Sequence, residues 1–212
     1  MLFPVKATVL SKLAARFSSR LSDRVPNGFD ILLLALAWGN LGYAAGPSYL
    51  RHVAGHVVRS NGAILECGSG ATTVLTAMLC QGTGRQFIVL EHNRIWHDYL
   101  RRILDYLNFS HVTLIRAPLI DYEGYRWYRL PQDLVIEKIG LVVCDGPPSS
   151  NPGGRYGLLP TMIDHLDDDC VILMDDTHRR AEQHILNAWT ECRCMRANRI
   201  GRFGTYAEVV FC

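Results

Sequence analysis

The chain has 212 residues, of which 49% are hydrophobic and 20% are charged, and its formal net charge is +2. This composition supplies enough apolar material for a hydrophobic core and excludes intrinsic disorder, collagen and coiled coil. The small net charge creates no overall field that would attract nucleic acid or an anionic membrane. The longest uninterrupted apolar run, Ile31 to Trp38, is far shorter than the roughly 18 residues that a membrane span needs.

The cysteine pattern bears on the compartment. The chain has seven cysteines, an odd number. Cys67, Cys144 and Cys170 fall in or beside apolar, strand-like runs, where cysteine commonly behaves as a small buried hydrophobe. The pattern therefore favours a reducing compartment and predicts a cytoplasmic protein.

A basic amphipathic segment opens the chain. In residues 1–24, Val9, Leu13, Phe17 and Leu21 recur every four residues among five basic residues and one acid. This spacing predicts a helix, and its apolar stripe is compatible with a homodimer. The Arg- and Ser-rich, acid-poor composition also leaves open a targeting peptide, as the alternative to a helix that lies on the domain or on a partner.

The remaining elements follow in chain order. After a turn near Pro26, one helix is predicted to end near Trp38 and another to begin at Pro47. From residue 63 onward, β-rich runs alternate with helical periods, which predicts a parallel sheet with helices on both faces. The predicted strands are Ala63–Cys67, Gln86–Glu91, His111–Arg116, Ile139–Asp145 and Cys170–Asp175. The predicted helices between and after them are Thr72–Leu79, Arg94–Leu107 and His178–Cys192, and the tail Met195–Cys212 is predicted to form an antiparallel pair of strands. The fold class is α/β, with an N-terminal helical extension over residues 1–45 and an α/β domain over residues 46–212.

A glycine turn follows the first of these strands. Gly68 and Gly70 would let the backbone approach a ligand closely, and the amides that begin the next helix would point at a polar group. Glu66, just before the turn, suits a ligand with an ammonium group and disfavours a pyrophosphate, and the third glycine of a dinucleotide-binding motif is missing. Taken alone, the motif could be an ordinary strand-to-helix turn.

A second acid follows at the end of the next strand. Glu91 stands about 20 residues beyond the turn, where a ribose-binding carboxylate is expected. One carboxylate can accept hydrogen bonds from both ribose hydroxyls. Glu66 near an amino-acid group and Glu91 on a sugar together describe a nucleoside joined to an amino acid, and S-adenosylmethionine is such a ligand.

At these residues the chain resembles the class I S-adenosylmethionine-dependent methyltransferases, over roughly residues 45 to 212. Glu66 to Gly70 looks like the superfamily's first motif, Glu91 is similar to its ribose-binding acid, and Arg116 to Leu119 is similar to the turn that flanks adenine. The resemblance implies a Rossmann-like, seven-stranded, mostly parallel sheet of order 3-2-1-4-5-7-6 and S-adenosylmethionine as cofactor. The cofactor-binding residues that it implies are Glu66, Gly68, Ser69, Gly70, Thr72, Glu91, His92, Ala117, Pro118 and Asp145.

Three further acids stand at predicted strand ends. Asp145 ends one strand, and Asp175 and Asp176 end another. Because the carboxyl ends of parallel strands line one crevice, the three carboxylates should converge there and repel one another unless protons or a cation intervene. This predicts a hard divalent ion held by the oxygens of Asp145, Asp175 and Asp176. The alternative is that Asp145 contacts cofactor or substrate while Asp175 or Asp176 caps the following helix.

The acid layout resembles that of the metal-dependent small-molecule O-methyltransferases. The resemblance implies that the divalent ion is magnesium, and it implies methyl transfer to a small hydroxylated acceptor. The metal would hold the acceptor's hydroxyl group and lower its pKa. Asp145 and His178 are the predicted catalytic residues. His178 is the candidate base because imidazole titrates near neutral pH and the residue stands two positions past the acid pair.

Two other features have open interpretations. In the loop after Asp145, Arg155 and Tyr156 could orient an acceptor or could simply be solvated. Four aromatic residues further upstream could form a substrate wall or a stacking platform for nucleic acid, although packing in the core or in a dimer is the expected role. They are Tyr122, Tyr125, Trp127 and Tyr128.

A histidine pair lies in the third predicted helix. His52 and His56 are four residues apart and so share one helix face. No third metal ligand is evident from the sequence. A packed or solvated pair is therefore expected.

Other classes of function remain as alternatives. A nicotinamide-dependent oxidoreductase would use a related sheet, but the missing third glycine and Glu66 argue against it. An aminopropyltransferase would use a decarboxylated form of the same cofactor, but only Asp145 matches its expected acids. A non-catalytic binding module would retain the sheet and use the N-terminal helices for assembly.

Overall fold

Nine strands and seven α-helices form in the part of the chain that the computed structural model describes, residues 6–18, 25–39, 45–201 and 205–212. The strands are β1 (Ala63–Cys67), β2 (Phe87–Glu91), β3 (Val112–Arg116), β4 (Leu119–Tyr122), β5 (Tyr125–Tyr128), β6 (Ile139–Cys144), β7 (Leu166–Asp175), β8 (Met195–Ile200) and β9 (Tyr206–Phe211). The helices are α1 (Ala7–Ser18), α2 (Gly28–Trp38), α3 (Pro47–Arg59), α4 (Ala71–Cys80), α5 (Arg94–Tyr106), α6 (Leu158–Met162) and α7 (Arg180–Cys192), and a 3₁₀ turn covers Ile163–His165.

Seven of the strands form one sheet in the order β3-β2-β1-β6-β7-β9-β8. The first five in this order are parallel, and β9 runs antiparallel to both β7 and β8. Counted within this sheet alone, the order is 3-2-1-4-5-7-6, so the predicted fold is confirmed. β4 and β5 were not predicted: they form a separate antiparallel hairpin that pairs Leu119 with Tyr128 and Tyr122 with Tyr125.

The central strands are buried on both faces. β1, β2 and β6 have no exposed residue, which explains why they read as continuous apolar runs rather than as alternating patterns. Successive side chains point to opposite faces, so Ile64 packs in one hydrophobic cluster and Leu65 in the other. This double burial made the strands recognisable from the sequence.

The N-terminal helices belong to the first of these clusters. Leu13 and Phe17 of α1 are buried there against α2 and α4, and Arg16 of α1 pairs with the buried Asp30 of α2 at 2.7 Å. The apolar stripe that suggested a homodimer is therefore covered by this chain's own helices, while its last member, Leu21, lies outside the described residues. The division at residue 45 stays a prediction.

The cysteines are all free thiols, and four of the seven are buried. Cys67 of β1 and Cys144 of β6 lie opposite each other on adjacent strands, inside the sheet. Within the described ranges, no helix is both long enough and apolar enough to cross a bilayer.

Candidate active site

A cleft of about 460 Å³ opens at the carboxyl ends of β1, β2, β6 and β7. Parallel pairing brings these four ends to one edge of the sheet, which is where ligands bind in open α/β sheets. The predicted residues that line the cleft are Gly68, Ser69, Glu91, His92, Asp145, Asp175 and Asp176. Lining residues without a predicted role at the site include Asn93, Trp96, Gly146 and Arg179.

The glycine turn after β1 packs directly on the loop after β6. Gly68 has a φ of 84°, and a Cβ at this position would lie 2.9 Å from the main-chain nitrogen of Gly146. Position 68 therefore requires glycine both for its left-handed backbone and for this close approach. A Cβ at Gly70 would meet no atom within 4 Å, so the turn leaves open space there.

Glu91 is held rigidly at the wall of the cleft. The Ser69 hydroxyl donates to one carboxylate oxygen at 2.7 Å, and the main-chain N–H of Asn93 donates to the other at 2.7 Å. His92 Nδ1 lies 3.4 Å from the same oxygen as Asn93. Because a carboxylate offers about four acceptor positions, Glu91 retains the capacity to accept hydrogen bonds from a ligand.

Trp96 ties the turn to the helices on one face of the sheet. Its indole N–H donates to the main-chain carbonyl of Ser69 at 2.8 Å. Its ring packs edge-on against Trp38 of α2, with the ring centroids 5.8 Å apart. The N-terminal helix α2 thus supports the glycine turn beside the cleft through Trp96.

Glu66 lies beneath the turn rather than in the cleft lining. It is fully buried, and the Thr72 hydroxyl donates to its carboxyl group. Burial raises the pKa of Glu66 to about 8, although the hydrogen bond from Thr72 acts in the opposite direction. At neutral pH the group is therefore mostly protonated and holds the start of α4. Its predicted contact with an ammonium group stays a prediction.

Arg155 occupies the space between the three predicted metal ligands. Its Nη2 lies 3.1 Å from Asp145 Oδ1 and 3.1 Å from Asp176 Oδ2, and it also donates to the main-chain carbonyl of Asp145 at 2.9 Å. Its Nη1 donates to the main-chain carbonyl of Asp175 and lies 3.7 Å from Glu182 Oε1. The side chain of Arg155 is 1% exposed. The cation expected among the acids is thus a guanidinium group.

This geometry does not fit the predicted magnesium site. Among the described residues, Asp145, Asp175 and Asp176 do not bring one ligand oxygen each to within 4.8 Å of one another. Magnesium demands near-octahedral oxygen ligands at about 2.1 Å, and Arg155 stands where such an ion would have to lie. The capping alternative is not seen either, because α7 begins at Arg180 with Arg179 as its N-cap residue.

The pKa values of two of these acids are nevertheless raised. Burial raises the pKa of Asp145 to about 7; the charge of Arg155 lowers this pKa, and the charges of Asp175 and Asp176 raise it. Burial also raises the pKa of Asp175 to about 6, against a hydrogen bond from the main-chain N–H of Asp176. Asp145 is 29% exposed and lines the cleft, so it can exchange a proton with a ligand near neutral pH.

Several predicted site residues lie elsewhere. Gly70, Thr72, Ala117, Pro118 and His178 are not among the residues that line the cleft. The main-chain N–H of Ala117 donates to the carbonyl of Glu91 at 2.8 Å and so aligns the end of β3 with that of β2. His178 is exposed, and its predicted role as a base stays a prediction.

The residues of the aromatic cluster have two kinds of environment, the hydrophobic core and the cleft. Trp127 is fully buried and packs against Gly157, where a Cβ would lie 2.7 Å from the indole ring. Tyr128 lines the cleft, and its hydroxyl has no hydrogen-bond partner among the described residues. Burial raises the pKa of Tyr128, so the hydroxyl is a neutral donor available to a ligand. Core packing is thus seen for Trp127, while a substrate wall stays a prediction.

Comparisons with known proteins were made by sequence and by structure. No protein-family model matches the sequence, and no curated protein matches it. The structure is similar to a methyltransferase from Podospora anserina solved with S-adenosylhomocysteine (SAH) bound, with a TM-score of 0.63, 13% identity and coverage of 100% of this chain and 98% of that chain. It is also similar to an O-methyltransferase from Bacillus cereus in complex with SAH, with a TM-score of 0.57, 14% identity and coverage of 95% and 99%.

A third similar structure is a ribosomal protein L11 methylase from Lactobacillus delbrueckii subsp. bulgaricus, with a TM-score of 0.53, 13% identity and coverage of 78% of both chains. At such low identity the likeness shows the fold alone. The chain has the fold of class I S-adenosylmethionine-dependent methyltransferases, as the resemblance of its motifs implied.

The buried carboxyl group of Glu66 predicts a pH-dependent stability difference. The folded-state pKa of about 8 lies above the unfolded value, so the native state loses stability as pH rises between these values. Glu66→Gln removes this loss. The free energy of unfolding of Glu66→Gln in urea should therefore rise by roughly 2 kcal/mol relative to that of the wild type between about pH 5.5 and about pH 7.5.

Glu191→Gln is the matched control, because Glu191 lies exposed on α7 and should show no such widening. A stability difference between Glu66→Gln and wild type that stays constant across this pH range would show that Glu66 is ionised in the native protein.

Proposed function

We propose that this chain is an S-adenosylmethionine-dependent methyltransferase that methylates a hydroxyl group of a small acceptor without magnesium. The observation that carries the proposal is the carboxylate of Glu91, which the Ser69 hydroxyl and the main-chain N–H of Asn93 hold at the wall of the cleft, at the ligand edge of this sheet. Two structures with the same fold were solved with SAH bound, which supports the same class of ligand here.

The chain's own residues suit that cofactor. Glu91 would accept hydrogen bonds from the ribose hydroxyls, and the space at Gly70 would admit the ligand next to the backbone. The free hydroxyl of Tyr128 would donate a further hydrogen bond. When bound, the cofactor supplies an electrophilic methyl group on a sulfonium cation.

The charge balance at the acid end of the cleft favours a cationic ligand. Four carboxyl groups lie there with the guanidinium groups of Arg155 and Arg179. Ion pairs join the two arginines to three of these acids. Burial is the main cause of the raised pKa of Asp145, and the charges of Asp175 and Asp176 raise it further. A positively charged ligand nearby would be stabilised by these acids.

Asp145 is the best-placed proton acceptor. Its carboxyl group lines the cleft, and Arg155 fixes its position through both the side chain and the main-chain carbonyl. The acceptor hydroxyl would donate its proton to the carboxylate of Asp145 as its oxygen becomes the nucleophile. The positive charge of Arg155 would remain in place, because the surrounding acids raise its pKa.

The class of acceptor follows from the lining. A volume of about 460 Å³ is in the range of small-molecule sites. A carboxylate that accepts protons near neutral pH suits a hydroxyl nucleophile, which must lose its proton during transfer. The similar structures include an O-methyltransferase and a ribosomal protein methylase, so the proposed acceptor rests on this lining and not on the fold.

SAH binding tests the cofactor assignment. In titration calorimetry the wild-type protein should bind SAH, and Glu91→Gln should weaken binding by roughly 10- to 100-fold, because hydrogen bonds to a charged acceptor contribute about 1.5–3 kcal/mol. Glu191→Gln on α7 should bind like wild type. If the wild type binds NAD⁺ but not SAH, the oxidoreductase alternative would replace the proposal.

The pH dependence of turnover tests the role of Asp145. Release of SAH, followed across a panel of phenols, catechols and sugars, should identify an acceptor. The rate should then fall as pH decreases through about 7, because the base becomes protonated below its pKa. Asp145→Asn should lower kcat by about 10²- to 10⁴-fold and abolish this acidic limb.

His178→Ala serves as the comparison and should retain both the rate and the limb. If His178→Ala lacks the acidic limb of the pH profile and Asp145→Asn retains it, His178 is the base. SAH binding without turnover on any panel member would instead favour a non-catalytic binding module.

A magnesium titration tests the role assigned to Arg155. After treatment with a chelator, turnover should be unchanged by added Mg²⁺, because the guanidinium group of Arg155 already lies between Asp145 and Asp176. A rate that depends on Mg²⁺ and saturates with it would show that the acids rearrange around a metal.

A further inference from the structure

A second cluster of chemically active side chains joins α3 to β9. Glu208 Oε2 lies 3.2 Å from His52 Nε2 and 3.0 Å from His56 Nε2. The three side chains are 21%, 12% and 23% exposed for His52, His56 and Glu208 respectively, so water reaches the cluster. Glu208 thus adds a third side chain of a metal-ligating type beside the two histidines, which the sequence did not reveal.

We propose that His52, His56 and Glu208 form a binding site for a transition metal ion of the Zn²⁺ type. One potential ligand atom from each residue lies within 4.8 Å of the other two. Two ligand atoms about 2.1 Å from a tetrahedral zinc ion are about 3.4 Å apart. The measured separations of 3.2 and 3.0 Å are close to this value, so an ion needs only small side-chain shifts to enter.

The ligand set selects the class of ion. Imidazole nitrogens suit zinc, copper and nickel, whereas magnesium and calcium prefer oxygen ligands throughout. Three protein ligands leave one position of a tetrahedral zinc ion for water or for another small ligand. The partial exposure of the cluster makes that position accessible.

The scaffold holds the ligands in place before an ion binds. His52 and His56 are one helical turn apart on α3, with ring centroids 4.8 Å apart. Glu208 lies in a strand that pairs on both sides, opposite Leu173 of β7 and Asn198 of β8. Ligands on a helix and a central strand lose little conformational freedom on binding.

Two effects act against metal binding and limit the affinity of the site for zinc. First, each Nε2 must face the ion without a proton, so metal binding replaces the hydrogen bonds between the histidines and Glu208. Arg51 and Arg59 line a cavity of about 360 Å³ next to His52, and their positive charge disfavours a bare cation. The same charge favours an anionic fourth ligand, such as chloride.

A titration of the metal-free full-length protein with ZnCl₂ tests the proposal. At about pH 7.5, where imidazole is largely neutral, calorimetry should show one saturable site, and zinc should raise the temperature of thermal unfolding because it binds the native state. Glu208→Gln and His56→Asn should each weaken binding at least about tenfold. His184→Ala, an exposed histidine on α7, should leave it unchanged.

Exposed thiols must be removed from the comparison, because cysteine also binds zinc. All titrations therefore use a background in which the three exposed cysteines, Cys192, Cys194 and Cys212, are replaced by serine. Circular dichroism confirms that each variant is folded.

The absorption spectrum of the Co²⁺-loaded parent tests the type of ligands, and the ligand variants test which residues supply them. Visible bands of a four-coordinate ion without thiolate charge transfer support the site. The proposal is overturned if the parent binds neither ion, or if Glu208→Gln and His56→Asn bind zinc as tightly as the parent.

Discussion

The candidate active site depends on one buried cation, the guanidinium group of Arg155. Parallel pairing of the strands brings Asp145 and Asp175 to the same edge of the sheet, with Asp176 beside them, so the geometry that makes a ligand cleft also concentrates negative charge. Burying several carboxylates without a partner would cost several kcal/mol per charge. Arg155 offsets this cost by hydrogen bonding to two side chains and two main-chain carbonyls at the ends of β6 and β7.

A fixed guanidinium group has different chemical consequences from a metal ion. It partly compensates the charge of the acids and holds their positions, but it cannot bind a substrate oxygen as a Lewis acid or lower the pKa of a hydroxyl by direct coordination. Under the proposed function, the proton of an acceptor would then pass to a protein group. Burial, together with the charges of Asp175 and Asp176, raises the pKa of Asp145, which is why this carboxyl group is the proposed proton acceptor.

The sequence predicted the features that depend on local patterns and missed those that depend on contacts between residues far apart in the chain. The strands and the turn at Gly68 were recognisable because double burial and close backbone contact impose local patterns: continuous apolar runs and an obligatory glycine. Asp145 and Glu91 were found because they end such runs. The role of Arg155 was not, since its loop has no periodicity and its partners are set by tertiary contacts up to 27 residues away, at Glu182. Glu208 lies 156 and 152 residues from its two histidines, and no local pattern signals such a meeting.

The helix α3 links the two sites physically. Its Tyr49 donates a hydrogen bond to the main-chain carbonyl of Leu173 in β7 at 2.9 Å, and its Ser48 lies 3.2 Å from the hydroxyl of Tyr206 in β9. Tyr206 in turn pairs with Asp175, which lines the cleft. Because β9 is held to α3 by these contacts and by the histidine cluster, any ion that tightened the cluster would stabilise the antiparallel strand beside the acid end of β7. The N-terminal helices therefore act as structural supports of the cleft on two sides, through Trp96 near the glycine turn and through α3 near the acids.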